Sequence, residues 1–227
     1  MLWYKAWLET RWRALFLLTI ILFVVAQIHS HSKTANATVT LLHGLEFIWI
    51  VNAMSLAGSG IRTDSPFRVL KGIQGSMYFT LSLPMSRLRL LATRAAFGLF
   101  EIAAVIIIGC CIAGLAAPEL RAQVTLADAI GYAVATFLSC SAVFGISTMF
   151  ATFLDQQWQI FASMFAIFGG SWIVSQITGS HFDLLPAMST ASPLETHVMP
   201  WAAVSASVGI CVTCLLAAWQ IEKVRQY

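Results

Sequence analysis

The sequence predicts an all-α membrane protein that crosses a bilayer six times, and three observations lead there. Of its 227 residues, 59% are hydrophobic and only 10% are charged, with a mean hydropathy of +0.80. A soluble domain carries roughly 25% charged residues, so this chain lacks the polar surface to enclose a core in water. The apolar residues gather into six runs, each near the ~20 residues a helix needs to cross hydrocarbon. Lys and Arg then sort by side: eleven of the thirteen fall on segments that an even number of crossings places together. The length suits one transmembrane domain, with no stretch polar enough to form a soluble one.

The elements follow in order. Leu2 to Arg13 reads as a helix lying in the cytoplasmic interface. Lys5, Glu9 and Arg13 recur every four residues on one face, and Trp3, Ala6, Trp7 and Thr10 occupy the other. An extension of the first span is the other reading of that stretch. The predicted spans are 12–28, 41–57, 91–115, 126–153, 158–177 and 201–219. His29 to Thr40 forms a polar outer loop, and Gly58-Ser59-Gly60 loosens the end of the second span. Pro118, Glu119 and Arg121 mark a short loop, and Asp155-Gln156-Gln157 a tight turn. Pro186, Pro193 and Pro200 punctuate the loop before the last span. Ala35-Asn36-Ala37 imitates a signal-peptide cleavage site but lies too far beyond the first apolar run, which is therefore read as a retained span. The five cysteines, Cys110, Cys111, Cys140, Cys211 and Cys214, all sit in apolar runs, as small buried hydrophobes do.

Orientation follows from the basic residues. Lys5, Arg11 and Arg13, then Arg62, Arg68, Lys71, Arg87, Arg89 and Arg94, then Lys223 and Arg225 share one side, against Lys33 and Arg121 on the other. The positive-inside rule puts both ends and the 61–90 connection in the cytoplasm.

That connection holds the most information. Asp64-Ser65-Pro66 is a helix start: a capping hydroxyl, a proline suited to the first turn, and an acid at the positive end of the dipole. Phe67, Leu70, Ile73 and Met77 then fall on one face, with Arg68, Lys71 and Gln74 elsewhere. Gly72 and Gly75 weaken this helix, so packing must support it. It is either a handle for a cytoplasmic partner or a lipid-surface helix without one; spacing alone does not choose.

The next residues carry a resemblance. Gly75-Ser76-Met77-Tyr78-Phe79-Thr80-Leu81-Ser82-Leu83-Pro84-Met85-Ser86-Arg87, continuing to Leu90-Leu91-Ala92-Thr93-Arg94, resembles the cytoplasmic segment of ABC-2 type transporter permeases. In that family such a stretch follows the coupling helix and precedes the third span. The element order is similar too: an interfacial N-terminal helix, six spans, both ends inside and a longer outer loop before the last span. One departure is that the acidic residue often preceding the glycine is absent; Lys71 and Gln74 stand in its neighbourhood.

The resemblance implies the membrane subunit of an ATP-driven exporter in the cell membrane, such as a bacterial inner membrane. Two permease copies, identical or related, pair above two ABC ATPase subunits. Phe67, Leu70, Lys71, Ile73, Gln74, Met77 and Arg87 would then couple to the ATPase. The permease itself binds no cofactor; ATP and Mg belong to the partner chain, and no nucleic acid is involved. In keeping with this, no G-x-x-x-x-G-K-[ST] phosphate loop occurs in the sequence.

Ionisable and polar residues inside spans are the other candidates, because a charge in hydrocarbon costs about 2.5–3.5 kcal/mol on insertion scales. Glu101 follows Arg94 by two turns on the same face, roughly 10 Å along the axis. It is open to a structural pairing, a gating role or substrate contact. Glu46 stands near His43 at the outer end of the second span. Asn52, Ser55 and Gln176, with Glu46, are possible path residues or interhelical hydrogen-bonding groups. No metal site is expected from the histidines, whose spacing suits none. Cys211-x-x-Cys214 lies in mid-span, away from any βαβ setting. Phe, Trp, Met and Leu along a path would suit a hydrophobic cargo, although the same residues also face lipid. The alternatives to a permease are an intramembrane enzyme acting on lipids or peptides, and a scaffold subunit with no path.

Overall fold

The computed structural model describes residues 19–20, 35–57, 87–116, 124–154, 156–178 and 193–224. Among them all regular structure is helical. The helices are α1 (Ala35–Ala57), α2 (Arg87–Ala116), α3 (Leu126–Ala151), α4 (Gln156–Met164), α5 (Gly170–Thr178), α6 (Pro193–Thr196) and α7 (Trp201–Val224). A π-helical turn, Phe165–Gly169, joins α4 to α5.

Four helical stretches among the described residues are long and apolar enough to cross a membrane: Leu91–Leu115, Leu126–Ala151, Trp158–Ile177 and Trp201–Ile221. They coincide with the last four predicted spans to within two residues at every end. The apolar part of α1, Leu45–Ala57, is shorter. Here the sequence reading needs correcting, because α1 begins at Ala35 and not at Leu41. Hydropathy marks where hydrocarbon ends, not where a helix ends. Residues 35–40 contain no Gly or Pro to stop the helix. The predicted 12–28 span, apart from the helical Thr19 and Ile20, lies outside the described residues. So do the interfacial helix Leu2–Arg13 and the coupling helix within 61–90.

Helix α3 is the centre of the protein and packs on α1, α2, α4, α6 and α7. Its contacts give the directions of the others. Gly98 of α2 meets Phe144, while Trp49 of α1 meets both Gly109 of α2 and Tyr132 of α3. As α2 advances α3 recedes, so these two are antiparallel. Gly131 faces Met199 just before α7, and Gly145 meets Cys211 within it. Thus α3 and α7 run in parallel. Helix α1 also runs with α3, since Glu46 reaches Tyr132 near the start of α3 and Met54 reaches Gln159 just beyond its end. Ala57 and Arg87, which flank residues 58–86, therefore lie at the end where α3 and α7 finish. Successive crossings of a bilayer require this alternation.

The core combines Leu45, Trp49, Ile50 and Met54 of α1 with Ile102, Val105 and Ile106 of α2 and Tyr132, Val143 and Phe144 of α3. Lipid tails are as apolar as these side chains, so close packing and polar contacts must hold the helices together. The outer surface shows the converse. Trp158, Phe161, Phe165, Phe168 and Trp172 recur at intervals of three and four residues, and all are exposed. Such a stripe would aggregate in water; facing acyl chains it is solvated.

The N-terminus of α3 is fastened by a capping box. Thr125 Oγ1 accepts from the Asp128 N–H at 3.2 Å, and the Asp128 carboxylate accepts from the Thr125 N–H at 3.3 Å. The same Asp128 oxygen lies 2.9 Å from His197 Nδ1. His197 adopts a left-handed φ of 53° just after α6, and its N–H bonds back to the Pro193 carbonyl. That turn swings the imidazole onto α3. Replacing Thr125 by Ala is expected to lower stability by about 1 kcal/mol, measured as a shift in unfolding midpoint in detergent. Asp128→Ala should cost more than Thr125→Ala, because it removes the contact to α6 as well as the cap.

Candidate functional site

One group of the core's polar residues is carried by α1, α3 and α4. Glu46 projects from α1 into apolar surroundings and is only 2% exposed. A carboxylate there requires a donor. Tyr132 of α3 supplies it: its hydroxyl donates to Glu46 Oε1 at 2.6 Å, across 86 residues of sequence. One turn further along α1, the Trp49 indole lies between the Tyr132 ring, at a centroid distance of 6.3 Å, and Gly109 of α2. A Cβ on Gly109 would stand 3.2 Å from Trp49 Cζ2, so the glycine makes room for the indole. Cys110 of α2 and Cys140 of α3 lie within electrostatic reach of Glu46.

Towards the other end of α1, the buried Gln159 of α4 donates Nε2 to the Met54 carbonyl at 3.1 Å. Among the described residues, several buried polar atoms of this region have no hydrogen-bond partner: Trp49 Nε1, Asn52 Oδ1, Gln159 Oε1, Thr136 Oγ1, Ser139 Oγ and Ser147 Oγ. Thr136 lies close to the Tyr132 phenol but outside hydrogen-bonding geometry.

The sequence candidates separate in this frame. Glu46 and Asn52 belong to the seam, where Tyr132 is a partner of Glu46; the side chain of His43, the neighbour expected from the sequence, lies outside the described ones. Ser55 is half-buried and its hydroxyl folds back onto the Asn52 carbonyl at 2.9 Å. Gln176 is exposed on α5 and stands apart from the seam. Glu101 is buried on α2, and Arg94 is half-buried two turns before it. Arg87 opens α2, while Phe67, Leu70, Lys71, Ile73, Gln74 and Met77 lie outside the described residues. Sequence reasoning missed Tyr132, Trp49 and Gln159. The available signal was a tyrosine inside an apolar run at the same depth as a glutamate on another span.

Comparisons with protein-family models, with curated proteins and with solved structures found no match to this chain. The fold and the seam define its class directly: a helical, multi-pass membrane protein with a buried polar core.

Proposed function

We propose that this chain is the membrane-spanning permease subunit of an ATP-driven exporter of the ABC-2 type. It crosses the membrane six times with both ends in the cytoplasm, and it works as a dimer above a separate ATPase. The observation that carries this reading is the segment Gly75 to Arg94, whose pattern resembles that family's coupling region. Its setting supports the reading. The segment runs into the first two turns of α2, at the end of the bundle where α3 and α7 finish and where Lys223 stands. Basic residues thus collect at the end that would meet an ATPase.

An intramembrane hydrolase is the competing reading. Catalysis by an activated serine requires a base within hydrogen-bond reach, and the described histidine side chain, His197, instead engages Asp128, one turn before Tyr132.

The exporter reading predicts that an ABC ATPase copurifies in fixed stoichiometry and that its ATP hydrolysis responds to this chain. Leu70→Asp and Ile73→Asp should uncouple hydrolysis from transport while the protein still inserts. Normal coupled transport in both variants, or a purified complex free of ATPase, would refute the assignment.

A further inference from the structure

The buried hydroxyls of α3 divide into two stripes that behave differently. Ser141, Thr148 and Thr152 fall within about 40° of one another around the helix, on the side where Ser141 lies against Cys211 of α7. Each turns back onto its own helix, donating to the carbonyls of Leu138, Phe144 and Met149 at 2.7 Å. A hydroxyl that must pack in an apolar interface usually hides itself this way. Tyr132, Thr136, Ser139 and Ser147 fall within about 80° on the opposite side, where Tyr132 meets α1. Thr136, Ser139 and Ser147 are 2%, 3% and 0% exposed, and none donates to a backbone carbonyl. Trp49 Nε1, a donor on α1, and the acceptors Asn52 Oδ1 on α1 and Gln159 Oε1 on α4 also have no hydrogen-bond partner.

Polar residues between membrane helices commonly serve as interhelical glue. Glue explains Glu46–Tyr132 and Gln159–Met54, because those groups are bonded. It does not explain six buried atoms without partners among the described residues, because a buried polar group left unsatisfied is destabilising. From Tyr132 to Ser147 the stripe rises about 22 Å, most of the ~30 Å of hydrocarbon. Helices α1, α3 and α4 contain no Lys or Arg, and the seam holds the acid Glu46.

We propose that the seam between α1 and α3 is a polar path, closed in this structure, that opens to water and to small neutral or cationic groups and disfavours anions. The unbonded hydroxyls, amides and indole are then wall groups that water satisfies in the open state, and Glu46 sets the charge preference near the outer end. The path lies within one protomer. It goes beyond the exporter reading and does not depend on it.

The test places single cysteines, Thr136→Cys, Ser139→Cys and Ser147→Cys, in a chain whose five native cysteines are alanine, in native membranes. Ser141→Cys and Thr148→Cys represent the other stripe, and Thr196→Cys, at the exposed last residue of α6, serves as the reference. Membrane-impermeant thiosulfonates should label the first three and leave Ser141→Cys and Thr148→Cys untouched. Relative to the reference, the cationic reagent should react about tenfold faster than the anionic one, as focusing by a fixed charge predicts. The unaltered chain gives a second readout. X-ray hydroxyl-radical labelling should modify Tyr132 and Trp49 faster than the lipid-facing Phe168 and Trp172. The path stands only if both results hold. Unlabelled Thr136→Cys, Ser139→Cys and Ser147→Cys beside a labelled reference, equal labelling of the two stripes, an anionic preference, or a Tyr132 no faster than Trp172 would each overturn it. Neither readout involves an ATPase, so failure here leaves the exporter assignment untouched.

Discussion

Replacing Tyr132 by Phe is expected to destabilise the helical bundle more than any other change that preserves side-chain shape. The ring keeps its place against Trp49, so the loss isolates one hydroxyl. That hydroxyl is the donor to Glu46 Oε1 at 2.6 Å, with both residues nearly fully buried. Hydrogen bonds to charged groups contribute about 1.5–3 kcal/mol in soluble proteins, whereas pairs between membrane helices average about 0.6 and reach about 1.7. The short distance and the burial put this pair near the upper membrane value, about 1.5 kcal/mol. Glu46→Leu leaves the phenol without its acceptor and should cost a comparable amount. The double variant then decides whether they act as a unit. If they do, Tyr132→Phe with Glu46→Leu will cost clearly less than the sum of the two single changes. Equilibrium unfolding in mixed detergent micelles measures all four proteins. Strict additivity would mean that the contact does not hold α1 to α3.

That pair also marks where the sequence stops being informative. The last four spans were legible to within two residues because crossing hydrocarbon depends on local apolar content, which a window of residues contains. The start of α1 was not, because a helix persists past the bilayer surface wherever nothing breaks it. Glu46 was legible as costly in hydrocarbon, but its partner lies 86 residues away, and only helix packing brings the two together. Asn52, Ser55 and Gln176 look alike in sequence. The structure distinguishes them: one buried in the seam, one folded back on its own helix, one exposed. The regular spacing of 132, 136, 139 and 147 on α3 could be read in advance. Whether those hydroxyls turn back or point outward depends on their neighbours, and Ser141 and Thr148 show the other outcome on the same helix. The sequence left aromatic residues open to lining a path or facing lipid. Trp158, Phe161, Phe165 and Trp172 form an exposed outer stripe, while the interior that α3 shares with α1 sets buried polar groups among apolar packing.

Gly145→Ala is the second change with a large expected effect, and its sign runs against helix propensity. Within a helix, Ala is better than Gly by roughly 0.5–1 kcal/mol. Gly114 and Gly209 have nothing within 4 Å of an added Cβ, so Ala there should be neutral or slightly stabilising. At Gly145 the added Cβ would stand 3.0 Å from Cys211 Cα and 3.1 Å from its carbonyl oxygen. Those are backbone atoms of α7 and cannot rotate away, so the two helices must separate. Val204, Ser207, Cys211 and Ala218, the buried positions of α7, would lose packing along its length. Overpacking of this kind costs about 1–3 kcal/mol for a methyl group, and Gly145→Leu should prevent α7 from docking at all. Protease sensitivity of α7 and the unfolding midpoint report the effect. Gly145 and Tyr132 are thirteen residues apart, about 20 Å along α3, and face opposite sides of it. Losses from Gly145→Ala and Tyr132→Phe should therefore add. A large coupling between them would mean that α3 shifts as a rigid body between its two neighbours, so that loosening α7 also opens the seam against α1.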